Sequence, residues 1–182
     1  FASKLRIFDQ CTYGLVNLDS EHCEEILEAA KASKKVITFS ETNEDADFYG
    51  YNVHKVGNDI VFNVRGSDFD DEFKLSMPGL FNVSNALCAI AIARLYDIPV
   101  SDIQAGLYQA KVPGRMEIYT SNDQKITAIV DYAHNQLSFQ KLFESVRNEY
   151  PGYRVTIIFG CPGKKAQDRR HDLGEIAGKN AD

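Results

Sequence analysis

The sequence predicts an α/β protein in two parts, and three observations carry that reading. Residues 13–18 and 35–39 are short apolar runs flanking a helical stretch. Strand, helix and strand in that order make a parallel α/β unit. Arg154-Val-Thr-Ile-Ile-Phe159 is a continuous apolar run, as expected of a strand covered on both faces, and a helical stretch follows over 169–178. Between the two regions Pro113-Gly114 breaks the chain. This pair is taken as the linker dividing residues 1–112 from 113–182.

Composition narrows the class. The 182 residues can form one large domain or two small ones. An apolar share of 44% and a charged share of 25% are ordinary for a soluble globular protein. The net charge of −6 argues against a nucleic-acid partner. No apolar run is long enough to cross a bilayer, so no membrane partner is expected. The first residues lack the basic-then-apolar layout of a signal peptide. Cys11, Cys23, Cys88 and Cys161 form no C-x-x-C pair and read as reduced thiols of a cytoplasmic protein. Both ends read as cut. Phe1 to Phe8 opens mid-helix without a cap, and residues 177–182 stop where a strand should begin. The expectation is a fragment of a longer enzyme.

The elements follow in order. Apolar positions 1, 5 and 8 have helical spacing over residues 1–9, with Lys4 among them as a solvated lysine. After the strand at 13–18, Asp19 or Ser20 is the expected cap of a helix running to about Ala32. The strand at 35–39 leads to an acidic turn, residues 43–47, read as solvated charge. Then come strands over 48–56, 60–64 and 69–75, with a hairpin turn at Gly57-Asn58. They form an antiparallel meander at the edge of the first unit. Met77-Pro-Gly79 closes it. Residues 80–96 are apolar almost all round, so that helix is expected to be buried. Ser101 is the expected cap of a further helix whose Ile103, Leu107 and Tyr108 pack inward. Beyond the linker come strands over 116–120 and 126–130, joined at Ser121-Asn-Asp123, and a helix over 136–150. The apolar strand over 154–159 and a tight turn at Gly160-Cys-Pro-Gly163 begin a Rossmann-like sheet.

A few residues stand out chemically. Asn82 and Asn85, at i and i+3, share one helix face near its start. Such amides bond nearby backbone, or read an adenine edge by donating to N7 and accepting from N6. Asp131 ends an apolar strand, where ligands collect in open α/β folds and where a plain strand-terminating aspartate also sits. Gly160-Cys-Pro-Gly-Lys-Lys165 is not G-x-x-x-x-G-K-[ST], so this chain carries no P-loop there.

Phe81-Asn-Val-Ser-Asn-Ala86, Val112-Pro-Gly-Arg-Met-Glu117, Val130-Asp-Tyr-Ala-His134 and Phe159-Gly-Cys161 occur in that order. The set resembles the Mur ligases, of the MurE type, the UDP-N-acetylmuramoyl-dipeptide:diamino-acid ligases of peptidoglycan synthesis. The resemblance runs over the whole chain. It implies an α/β fold made of the C-terminal part of the central ATPase domain and the start of the Rossmann-like C-terminal domain. It implies ATP and Mg²⁺ as cofactors, and UDP-MurNAc-dipeptide, a diamino acid and the remaining domains of a parent chain as partners. It places Asn82 and Asn85 on the adenine, Arg115 on the nucleotide across the domain junction, and Asp131 on the ribose hydroxyls. His134 joins the nucleotide-binding set by its place in the motif, and Tyr132 is as open to a packing role as to a role in the site. Lys4, in Phe1-Ala-Ser-Lys4 ahead of Val16-Asn-Leu-Asp19, matches the lysine that becomes carbamylated, and a carbamate oxygen suits Mg²⁺.

The chain also departs from the family pattern. Asn135-Gln-Leu-Ser138 replaces the usual Thr-Pro-Asp, and Pro162-Gly-Lys-Lys-Ala-Gln-Asp168 replaces Gly-Gly-Asp-Arg. Arg169-Arg170-His171 resembles a basic turn of the lysine-adding branch, which favours L-lysine over meso-diaminopimelate. The alternatives are a divergent homologue or folylpolyglutamate-type ligase with another amine, or a nucleotide-binding module without catalysis. A fragment without a P-loop is expected to be inactive alone.

Overall fold

A computed structural model describes residues 1–57, 59–161, 163 and 167–182, the side chain of Asp168 excepted. The chain forms two units, Phe1–Lys111 and Val112–Asp182.

In the first unit, α1 (Ala2–Leu5) is a single turn that tightens into a 3-10 segment over Arg6–Gln10. The expected helix over 1–9 is therefore split. Strands β1 (Tyr13–Asn17) and β2 (Lys35–Ser40) run parallel on either side of helix α2 (Cys23–Ala30). Strand β3 (Phe48–Val56) joins β2 in parallel through Phe39↔Phe48 and Ser40↔Tyr49. Strands β4 (Asp59–Arg65) and β5 (Asp70–Leu75) then complete the meander antiparallel, in sheet order β1-β2-β3-β4-β5. Gly57 sits at φ +63 in the β3–β4 turn, and Asn58 of the expected hairpin lies outside the described residues.

Helix α3 (Asn82–Leu95) lies on this sheet. Its Val83, Leu87 and Ile90 meet Ile60, Phe62, Val64, Phe73 and Leu75 in one buried cluster. Burying a side chain such as Leu87 contributes about 1.5–3 kcal/mol. Gly50 of β3 permits the close approach, because a Cβ there would lie 2.9 Å from Leu87 Cδ1. Ile92 is exposed, so α3 buries one face rather than its whole circumference.

Two expected caps and one inward residue are corrected. Helix α2 starts at Cys23 with His22 before it and no side-chain cap, because Asp19 is engaged at the end of β2 instead. Helix α4 (Val100–Gln109) starts behind Pro99, so Ser101 is already inside the first turn and does not cap. Ile103 is buried as expected, but Tyr108 is exposed, its ring 5.1 Å from the Lys74 ammonium.

In the second unit, β6 (Glu117–Thr120) and β7 (Thr127–Val130) form an antiparallel hairpin from Glu117↔Val130 to Thr120↔Thr127. The Ser121 hydroxyl bonds Asp123 at 2.6 Å across its turn. Helix α5 (Gln136–Glu149) opens with a capping box: Asn135 Oδ1 accepts from Ser138 N at 2.9 Å, and Ser138 Oγ reaches back to Asn135 N at 3.2 Å. Phe139 and Phe143 of α5 pack with Leu173, Ile176 and Ala177 of α6 (Asp168–Asn180).

The strand expected over 154–159 has no strand partner among the described residues, and its two faces differ. Val155 and Ile157 pack on the α5–α6 cluster, whereas Ile158 is 97% exposed. Among the described residues its backbone pairs with Asp182, whose N–H donates to Val155 O at 2.9 Å and whose carboxylate accepts from Val155 N at 2.8 Å. A strand is defined by its neighbours, and hydropathy alone does not supply them. Arg169-Arg170-His171 falls inside α6, not in a turn before it. Of the expected turns, Pro162 and residues 164–166 lie outside the described residues.

Candidate functional site

The candidate residues fall in both units, and each unit builds its share from local chemistry. In the first, a φ of +92 at Gly79 reverses the chain ahead of α3. Asn82 N–H donates to Gly79 O at 2.9 Å and so joins the helix start. The Asn82 side chain is only 7% exposed. Its Nδ2 donates to Pro78 O at 2.8 Å and its Oδ1 accepts from Asn85 Nδ2 at 3.1 Å. Both ends of this buried amide are thus satisfied, as burial demands. Asn85 is exposed and spends one N–H on Asn82, and among the described residues its carbonyl oxygen and second N–H have no further partner. The pair is an inner amide that orients an outer one.

The first turn of α3 is also tied to the carboxyl ends of β1 and β2. Asn17 Nδ2 donates to Ser84 Oγ at 3.1 Å, and Asn17 Oδ1 accepts from Asp19 N at 2.9 Å. The Asp19 carboxylate then accepts from Ser40 Oγ and Thr42 Oγ1 at 2.6 Å each and from Glu41 N at 2.8 Å. Burial works to raise the Asp19 pKa, but the hydrogen bonds from Ser40, Thr42 and the backbone of 41 and 42 outweigh it and hold it below its ordinary value. Beside it, burial and the Asp19 charge push the Glu41 carboxyl up to about 6.

Lys4 is exposed on the one-turn helix α1, and among the described residues no ion pair holds its ammonium. Among those residues there is also no group of three or more His, Cys, Asp or Glu side chains arranged to hold a metal. The described side chains therefore do not make up a Mg²⁺ site by themselves.

In the second unit, Arg115 stands between two left-handed residues, Gly114 at φ +72 and Met116 at φ +48. Glycine takes that conformation freely, whereas methionine does so at a cost of about 1 kcal/mol or more. Two features hold Met116 there: its side chain is 2% exposed, and its N–H donates to Asp131 Oδ2 at 2.9 Å. Asp131 Oδ1 accepts from Ala133 N at 2.7 Å. Asp131 thus clamps the arginine turn to the end of β7, while each carboxylate oxygen keeps a lone pair for a further donor.

Tyr132 is 63% exposed. The Arg115 guanidinium lies 5.1 Å from its ring centroid, and the His134 ring lies 4.8 Å away. His134 Nδ1 is 2.9 Å from Tyr132 O. A carbonyl only accepts, so Nδ1 carries a proton, and in the neutral ring Nε2 is the open acceptor. Sequence reasoning missed the contacts of Asn17 and Ser84 and left the role of Tyr132 open. Ser84 lay in view between the two asparagines, and Asn17 stood two residues before Asp19.

A buried amide holding an exposed one at a helix start, and an arginine turn clamped by a strand-end aspartate, are the groups that the two units of this α/β protein present. The comparisons are specific. Residues 1–93 match the Mur ligase middle domain, and residues 114–182 match the Mur ligase, glutamate ligase domain. The chain belongs to the Mur ligase family.

Among its relatives is the UDP-N-acetylmuramoyl-L-alanyl-D-glutamate–2,6-diaminopimelate ligase of Alkaliphilus oremlandii, 32% identical over 99% of this chain and 37% of that protein. The UDP-N-acetylmuramoyl-L-alanyl-D-glutamate–L-lysine ligase of Streptococcus thermophilus is 38% identical over 74% of this chain and 28% of that protein. Among solved structures, MurF from Acinetobacter baumannii superposes with a TM-score of 0.76 at 24% identity, over 93% of this chain and 37% of that one. The chain thus spans between 28% and 37% of the length of these relatives.

Proposed function

We propose that this chain works within a longer ATP-dependent amide ligase that adds a diamino acid to UDP-MurNAc-L-Ala-D-Glu in peptidoglycan synthesis, in the cytoplasm. The substrate carboxylate attacks the ATP γ-phosphate to give an acyl phosphate and ADP. The amine then attacks the acyl carbon, the amide forms and phosphate leaves. The observation that carries the reading is the Asn82–Asn85 pair, a buried amide holding an exposed one at the start of α3. Its free oxygen and N–H match the donor–acceptor edge of adenine.

The other roles follow from chemistry. Asp131 keeps lone pairs for the ribose hydroxyls, and the Arg115 guanidinium suits a phosphate oxygen. His134 offers Nε2 as an acceptor to the same nucleotide. Lys4 is the site at which a carbamate would add one anionic oxygen for Mg²⁺, with the remaining metal ligands supplied from beyond the described residues. Relatives named for diaminopimelate and for L-lysine both match, and we place L-lysine first.

The test uses the full-length polypeptide with UDP-MurNAc-L-Ala-D-Glu, ATP and Mg²⁺, offering L-lysine, meso-diaminopimelate and L-ornithine in turn. One amine is expected to give a tripeptide product by mass together with phosphate release. Phosphate release without product, or neither, would reject the reading. The isolated chain is expected to give no ligation.

A further inference from the structure

We infer that Tyr132 is a positioning residue that holds the Arg115 guanidinium, and through its carbonyl the His134 imidazole, in working orientation. The inference rests on the nucleotide reading above. Tyr132 is largely exposed, so burial does not account for a tyrosine at this position. Its ring is flanked by two groups of the proposed site, the guanidinium at 5.1 Å and the imidazole at 4.8 Å. Among the described residues no carboxylate pairs with the Arg115 side chain, so the aromatic face is what orients it. The backbone on both sides is already fixed, since Asp131 takes both Met116 N and Ala133 N. With its backbone anchored, the long arginine side chain still has several rotatable bonds. A ring face restricts them while leaving the guanidinium N–H groups open to a phosphate. A carboxylate partner would instead occupy those donors. The Tyr132 carbonyl fixes the proton on His134 Nδ1, so ring and backbone of one residue set two neighbours.

The phenol O–H has no part in this account, and the ring alone is required. In the full-length enzyme, Tyr132→Leu should raise the KM for ATP about three- to fivefold, the size of an exposed cation–π contact, while the KM for the amine stays put. Tyr132→Phe should restore the ATP KM. In an Arg115→Ala background, Tyr132→Leu should add nothing to the ATP KM. Thermal unfolding of each variant separates folding from positioning. Equal ATP KM values for the wild type and Tyr132→Leu, or full additivity with Arg115→Ala, would overturn the inference. Absence of any ATP-dependent ligation in the wild type would instead overturn the functional reading on which it rests.

Discussion

The two units present their functional groups by opposite means. At the start of α3 the groups grow out of the core: Asn82 is buried, both ends of its amide are bonded, and Asn85 stands on it. Around Arg115 the groups lie on short, exposed elements, and order comes from left-handed backbone and one carboxylate. In the first case one buried residue, Asn82, both bonds the chain and holds the outer amide. In the second the buried anchor, Met116, and the exposed Arg115 are separate residues. Substitutions should therefore cost folding and binding together at Asn82, and binding more than folding at Arg115.

The largest effect tests the core on which the first arrangement depends. Leu87→Ala should destabilise the first unit by about 2–5 kcal/mol in a denaturant titration, since Leu87 is fully buried against the meander. A loss under about 1 kcal/mol would mean that α3 is not anchored as described.

Next, Asn82→Ala strips Asn85 of its partner and leaves Pro78 O unbonded. Stability should fall by about 1–3 kcal/mol, and the ATP KM should rise as well. Asn85→Ala should leave unfolding nearly unchanged while weakening ATP. If both variants behave alike in both measurements, the division into inner and outer amide is wrong.

Asn17→Ala should cost about 0.5–1.5 kcal/mol through the lost bond to Ser84. Ser84→Ala in the same background should add little. Additive losses would show that the two side chains do not act as a pair.

The smallest effect is at Glu41. Its folded pKa of about 6 lies above the ordinary 4.5, so the folded state holds the proton more tightly. The stability this contributes is complete below the ordinary pKa and is lost as pH rises through about 6. Glu41→Gln should therefore stabilise at about pH 7.5, by no more than about 1 kcal/mol once solvent screening of this half-buried site is allowed for. Near pH 4.5 the variant and the wild type should unfold alike. Asp19 acts in the opposite sense, because its lowered pKa gives stability that is lost only as pH falls below the ordinary carboxylate range. A Glu41→Gln gain that is the same at both pH values would exclude this titration as its cause.

Much of the first unit was legible because its signals are local. Alternating apolar residues and a glycine turn specify the meander, and the strand–helix–strand order specifies parallel β1 and β2. Asp19 was misread as a helix cap because its partners, Ser40 to Thr42, lie more than twenty residues away. A short-range rule does not weigh such partners. The run over 154–159 was read as a covered strand from hydropathy alone, yet Ile158 is open to solvent. The role of Tyr132 stayed open because an aromatic residue in a sequence carries no sign of which way it faces. Asn135 and Ser138 looked like a departure from the family pattern, and the structure turns them into a capping box. That N-x-x-S spacing was visible beforehand as a helix-start signal.

Asn85 is proposed to read the nucleotide base. That role is tested most directly by the ratio of KM for ATP to KM for GTP, in the full-length enzyme and in Asn85→Ala. The wild type should prefer ATP strongly, and the variant should cut that preference by about tenfold, the value of a lost base-edge pair. Stability and amine KM should hold. An unchanged ratio in Asn85→Ala would contradict the assignment of the adenine to this amide.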